Sequence, residues 1–122
     1  MTRIVVTVGQ VRLQGALNDT RSAREIASRL PVSGTGARWG DEVYFSTDIT
    51  LPPEDPVEVV EAGDIGYWPP GKAICLFWGP TPASDGDEIR PASPVNIIGR
   101  VEGDLSALGE VRDGDLVTLE PA

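Results

Sequence analysis

Glycine and proline interrupt this 122-residue chain so often that one window alone keeps a helical repeat. There are 14 glycines and 11 prolines, and between them the apolar runs stay short. The longest, AICLFW at 73–78, is far below the length of a membrane span. The exceptional window is 19–30. There Ala23, Ile26, Ala27 and Leu30 follow i, i+3, i+4, i+7 and draw a single apolar stripe. Asn18 and Asp19 are candidate N-caps, Ser22 and Glu25 have capping-box spacing, and Pro31 stops the helix.

The rest reads as strands and turns. RIVVTV (3–8) and VRLQGAL (11–17) are β-branched-rich runs joined by Gly9-Gln10, the signature of a hairpin. RWGDEVYFS (38–46) reads as a strand with a Gly-Asp irregularity, followed by VEVVEAG (57–63) and DIGYW (64–68). LPPEDP (51–56) has three prolines, hence three missing donors, and cannot be a central strand. Pro70-Gly71 suits the central positions of a type II turn. AICLFWG (73–79) reads as a strand covered on both faces, 80–94 as a proline-rich loop, and VNIIGRVEG (95–103) and DLVTLE (115–120) as closing strands. A short helix or turn fits Asp104–Leu108. Short strands around one helix predict a mainly β fold, a closed or nearly closed barrel, in one domain spanning 1–122.

Composition excludes much chemistry. There is no histidine, which removes Ser-His-Asp and Cys-His nucleophile systems and histidine zinc sites. The one cysteine, Cys75, can form neither an internal disulfide nor a CxxC site, and its apolar surroundings predict an inert thiol. SGTGARWG has Trp39 where a dinucleotide fingerprint needs glycine, and no GK[ST] occurs. Asp85-Gly86-Asp87-Glu88 fails the EF-hand spacing. No metal or cofactor is expected. The net charge is −9, and residues 39–89 hold eleven acids against Lys72 alone. That balance opposes nucleic-acid binding, which relies on dense Lys/Arg contacts. The polar N-terminus and short apolar runs lead to the expectation of a cytoplasmic protein without membrane contact.

What remains is aromatic. GDIGYWPPGKAICLFWGPTP (63–82) holds four of the seven aromatic residues. Alternation puts Glu42 and Tyr44 on one face of their strand and Trp39, Val43 and Phe45 on the other. It sets Trp68 opposite Tyr67, and Ile74, Leu76 and Trp78 opposite Cys75 and Phe77. Neither Tyr67-Trp68 nor Phe77-Trp78 can send both rings inward, so one of each pair needs a cover: the 80–94 loop, a partner or a ligand. Tyr44, Trp68, Phe77 and Trp78, with Thr81, Ser93 and Asn96 as polar neighbours, are therefore the candidate ligand-binding residues. Core packing is the competing reading for each ring. Glu42 is the candidate catalytic residue, because a carboxylate among aromatics has its pKa raised by desolvation. Its competing reading is a surface glutamate or one paired with Arg38 or Arg100.

Taken together, GDIGYWPPGKAICLFWGPTP, RPASPVNIIGRVEGD (90–104), LNDTRSAREIASRLP and WGDEVYF resemble a family of small prokaryotic proteins with a cyclophilin-like barrel and no assigned activity. The resemblance implies about eight strands closed as a barrel with one or two capping helices. It does not carry over prolyl isomerase chemistry. True cyclophilins use a Phe-His-Arg motif and a Phe-Met-x-Gln-Gly-Gly segment, whereas residues 39–89 here contain no arginine and the one methionine is Met1. Three functions are consistent with the residues. The first is a module binding a small aromatic or apolar ligand, or a short peptide. The second is a small-molecule enzyme, for isomerisation or amine–carbonyl condensation, using Glu42. The third is a weak isomerase. A homodimer is a further possibility for an exposed aromatic face.

Overall fold

β1 (Thr2–Val8) and β2 (Val11–Leu17) form the expected hairpin, in unbroken register from Thr2 opposite Leu17 to Val8 opposite Val11. Gly9 makes the link possible with φ +57°, a region that glycine enters at little steric cost. The computed structural model describes residues 1–122. Beyond the hairpin lie β3 (Val32–Thr35), β4 (Ala37–Arg38), β5 (Glu42–Ser46), β6 (Asp64–Trp68), β7 (Ala73–Phe77), β8 (Asn96–Val101) and β9 (Leu116–Pro121). They form one sheet in the order β3-β9-β1-β2-β8-β6-β7-β5-β4, with every pairing antiparallel.

This is the expected mainly β, nearly closed barrel, with nine strands rather than about eight. β3 and the two-residue β4, both in a glycine-rich stretch, are added, while the strand expected at 57–63 does not form. Side chains rather than a hydrogen-bond ladder bring β3 and β5 together. A Cβ on Gly34 would lie 2.8 Å from the Phe45 ring, and one on Gly36 would lie 2.9 Å from Val43 Cγ2. Only glycine permits that approach.

The barrel interior is apolar, with Ile4, Val6, Val43, Phe45, Ile74, Ile98 and Leu119 among its residues. Tyr67 is the polar exception, and it is fully satisfied. Its hydroxyl donates to the Ile49 carbonyl at 2.6 Å and accepts from the Leu51 amide at 3.1 Å. These bonds tie the segment after β5 to the barrel.

A second, smaller core lies outside the β6–β7–β5 sheet. There Ala73, Cys75 and Phe77 meet Val60, Ile89 and Val95. Residues 57–63 reach this core without forming the expected strand. Their β-pairing is confined to single bridges, Val57 with Val95 and Val60 with Ile89. Proline-bracketed chain on one side and a loop on the other leave no straight partner for a longer ladder.

The helix, α1 (Arg21–Ala27), is shorter than the window 19–30 and is capped differently. Thr20 is the N-cap, its Oγ1 accepting from the Ala23 amide at 3.1 Å. Asn18 supports the cap, accepting from the Thr20 amide and hydroxyl. Glu25 pairs forward with Arg29 at 3.0 Å instead of closing a capping box. The remaining free amides, of Arg21 and Ser22, donate to the Glu54 carboxylate at 3.1 and 2.8 Å. A distant carboxylate thus does what local spacing assigned to Glu25.

Pro69–Gly71 forms a 3₁₀ turn rather than a type II turn, and the left-handed residue is Lys72, at φ +49°. Gly71 serves by lacking a side chain, since its Cβ would stand 2.6 Å from Cε3 and Cζ3 of Trp68. A second 3₁₀ turn occupies Ser106–Glu110, close to where a short helix is expected. No helix is long and apolar enough to cross a membrane.

Candidate functional site

The pairing of β5 with β7 sets the site. Glu42 stands opposite Phe77 and Tyr44 opposite Cys75. These four side chains therefore share the outer face, while Val43, Phe45, Ile74 and Leu76 fill the barrel. Trp68, at the end of β6 opposite Ala73, joins the outer face.

Trp39 arrives there by a different route. Alternation alone sets it opposite Glu42. Instead Gly40 turns the chain at φ +63° and the Trp39 amide donates to the Glu42 carbonyl at 2.9 Å. The turn returns Trp39 to the same side as Glu42. Over these strands pass Pro91, Ala92 and Val95 from the 80–95 segment. The cavity is about 280 Å³, lined by these three and by Trp39, Glu42, Tyr44, Trp68 and Cys75.

Glu42 is the cavity's carboxylate, and it is only 5% exposed. It takes part in none of the protein's salt bridges. Arg38, its nearest arginine in sequence, is engaged elsewhere. It donates to the carbonyls of Gly40, Gly109 and Val111 at 2.8, 2.7 and 2.9 Å and to Asp41 at 3.0 Å. Its guanidinium also lies over the Trp78 ring, 5.3 Å from the centroid. Arg100 holds Asp64 at 2.8 Å and Glu61 at 3.2 Å.

Burial without a cation pushes the Glu42 pKa up to about 7, partly offset by the neighbouring Cys75 thiol. The same burial, then the neighbouring Glu42 charge, drives the Cys75 thiol well above its ordinary value. Cys75 is therefore a buried, protonated thiol rather than a nucleophile, its Sγ directed to the Ala73 carbonyl at 4.0 Å. Three ionisable groups line the cavity: Glu42, Tyr44 and Cys75. All three are acids.

Of the residues singled out in the sequence, Glu42, Tyr44 and Trp68 meet at the cavity. Ser93 stands just behind it, its hydroxyl accepting from Trp68 Nε1 at 2.6 Å. The other four lie elsewhere. Phe77 is completely buried in the second core. Trp78 packs against the main core beneath Arg38, with its Nε1 buried and unpartnered. Thr81 fastens the loop internally, donating to the Arg90 carbonyl and accepting from the Ala83 amide. Asn96 is 1% exposed and fully engaged. It accepts from the Glu54 amide at 2.8 Å and donates to Pro52 O and Ser22 Oγ. It locks α1, the proline segment and β8 together.

Trp39, Cys75, Pro91, Ala92 and Val95 are lining residues that reading by strand missed. The parity that groups Cys75 with Phe77 signals Cys75 once β5 is paired with β7. No comparable signal marks Trp39 or the loop residues.

The profile of the family described as cyclophilin-like matches residues 2–120. The chain belongs to the cyclophilin-like family. A hypothetical protein from Archaeoglobus fulgidus, whose structure was solved in solution, is 43% identical to it. The match covers 99% of this chain and 95% of that one, with a TM-score of 0.82. No curated protein matches the chain. Within this cyclophilin-like barrel, no arginine lines the cavity. Arg90, like Arg38 and Arg100, is engaged away from it, with Glu88 at 2.6 Å.

Proposed function

We propose that this cyclophilin-like protein binds a small, largely apolar or aromatic molecule in the cavity walled by Trp39, Tyr44 and Trp68, with Glu42 as its polar contact. One observation carries the reading: a 5%-exposed carboxylate without a cationic partner faces that cavity. Burying an unpaired carboxylate opposes folding, and perturbed groups of this kind concentrate at functional sites. At about 280 Å³ the cavity is at the lower edge of ligand pockets, which run ~300–1,000 Å³. That favours one ring with small substituents over a peptide. Prolyl isomerisation is not part of the reading, because its electrostatic half needs a donor within reach of the reacting amide, and the arginines are engaged elsewhere.

A second reading is favoured by the Glu42 titration. A carboxyl with a pKa of about 7 is populated in both forms near neutrality and suits general acid–base transfer to a bound molecule. Isomerisation, or condensation of an amine with a carbonyl, would need no further protein nucleophile.

The test is a nitrogen–proton NMR titration with small aromatic acids, amines and neutral ring compounds, and with Xaa-Pro peptides. Trp78 lies outside the cavity and is an internal reference. Saturable shifts of the Trp39 and Trp68 indole signals with Trp78 unmoved support the pocket. Shifts of none, or of all three alike, count against it.

A further inference from the structure

Building on the pocket reading, we infer that its ligand is an organic cation, an amine or quaternary ammonium group on a small apolar body. The cavity joins three aromatic side chains, Trp39, Tyr44 and Trp68, to one buried carboxylate, Glu42, with no basic residue in the lining. Each component selects the same sign of charge. Aromatic faces attract cations through their quadrupole, most strongly when water is excluded. A buried carboxylate lacks only a counter-charge, and a ligand ammonium would supply it.

The polar edge of Trp68 does not compete for the ligand. Its Nε1–H is committed to Ser93 Oγ at 2.6 Å, which leaves the ring as what Trp68 offers. Gly71 packs against Cε3 and Cζ3 and fixes the ring's position from the turn below.

The other groups around Glu42 reinforce the choice. From β5 the cavity receives the Tyr44 phenol and from β7 the Cys75 thiol. β6 contributes Trp68, and the 91–95 segment contributes Pro91, Ala92 and Val95, none of which titrates. An anion would face Glu42 with no compensating positive charge. A bare metal ion finds no cluster of three His, Cys, Asp or Glu side chains, and hard cations demand several oxygens. The chain's net charge of −9 adds a long-range field that draws cations inward.

The experiment compares two probes of the same shape, phenyltrimethylammonium and tert-butylbenzene. They differ in replacing N⁺ by carbon, and neither titrates. Binding is followed by the Trp39 and Trp68 indole signals in the wild-type protein and in Glu42→Gln. The cation is expected to bind at least about tenfold more tightly than its carbon twin when Glu42 is ionised, near pH 8. That preference should disappear in Glu42→Gln. Below the Glu42 pKa the cation's Kd should rise and level off once the preference seen near pH 8 is lost, as the carboxylate gains its proton, while the neutral probe's Kd stays flat. If both probes bind equally, or tert-butylbenzene binds better, the cation inference is overturned and the pocket stands. If neither probe moves Trp39 or Trp68, the inference and the pocket reading fall together.

Discussion

Replacing Glu42 by glutamine should make the protein more stable at alkaline pH and leave it little changed in acid. The folded carboxyl has its pKa raised to about 7 from an ordinary 4.5. The native state therefore holds this proton more tightly than the unfolded chain does. Protonation favours folding, so the group's contribution is fully present below about 4.5, declines as pH rises to about 7, and is constant above. At 1.36 kcal/mol per unit, the wild-type protein loses about 3 kcal/mol across that window. Glutamine keeps the shape but never ionises. The variant should thus gain up to about 3 kcal/mol over wild type at pH 8, or roughly 10 °C in Tm for a domain of this size.

The difference between the two proteins is the quantity to measure. Carboxylates outside the cavity, such as Glu54, Glu88, Glu102 and Asp104, have lowered pKa values through hydrogen bonds, several with arginine neighbours as well. They lose stability in acid, with the opposite sign, and blur the raw profile. Subtraction cancels them. Urea unfolding of both proteins across the window gives the curve. If the two profiles run parallel, Glu42 titrates normally and the desolvation argument fails.

Three further outcomes follow from the same structure. Asn96→Ala should cost about 2–4 kcal/mol in urea unfolding, since it removes three hydrogen bonds of a buried side chain and leaves the buried Ser22 hydroxyl without its partner; a loss below about 1 kcal/mol would contradict its structural role. Gly71→Ala should displace the Trp68 ring, shifting its indole signal and costing about 1–3 kcal/mol by overpacking; an unmoved Trp68 at wild-type stability would refute the contact. Cys75 should resist aromatic disulfide reagents in the native protein and react once urea unfolds it; rapid native reaction would show that the thiol is neither buried nor suppressed.

The barrel was legible because its signals are local. Gly9-Gln10 forces a hairpin, the stripe from Ala23 to Leu30 finds the helix, and period-two alternation sorts Ile74 and Leu76 from Cys75 and Phe77. Alternation also shows that Tyr67-Trp68 and Phe77-Trp78 must each send a ring outward. It does not reveal what covers that ring. Phe77 is sealed by Val60, Ile89 and Val95, contacts that depend on irregular chain folding over the sheet. Trp68 borders a cavity because the residues passing over it, Pro91 and Ala92, are small.

Other departures have the same long-range origin. Glu54 caps a helix some thirty positions away, and Asn96 is consumed by the segments it joins. Trp39 changes sides through one left-handed glycine. Glu42 was recognisable from its aromatic neighbours, but its lack of an arginine partner was not. That depended on Arg38 being drawn off by the carbonyls of Gly109 and Val111.

The central claim is that a carboxylate sits desolvated and unpaired against an aromatic-walled cavity. Its most direct test is the pH titration of the Glu42 side-chain carboxyl carbon by NMR, in the ligand-free protein. The account requires a midpoint of about 7. A midpoint near the ordinary glutamate value of about 4.3 would contradict it, leaving the aromatic wall as packing around a hydrated surface acid.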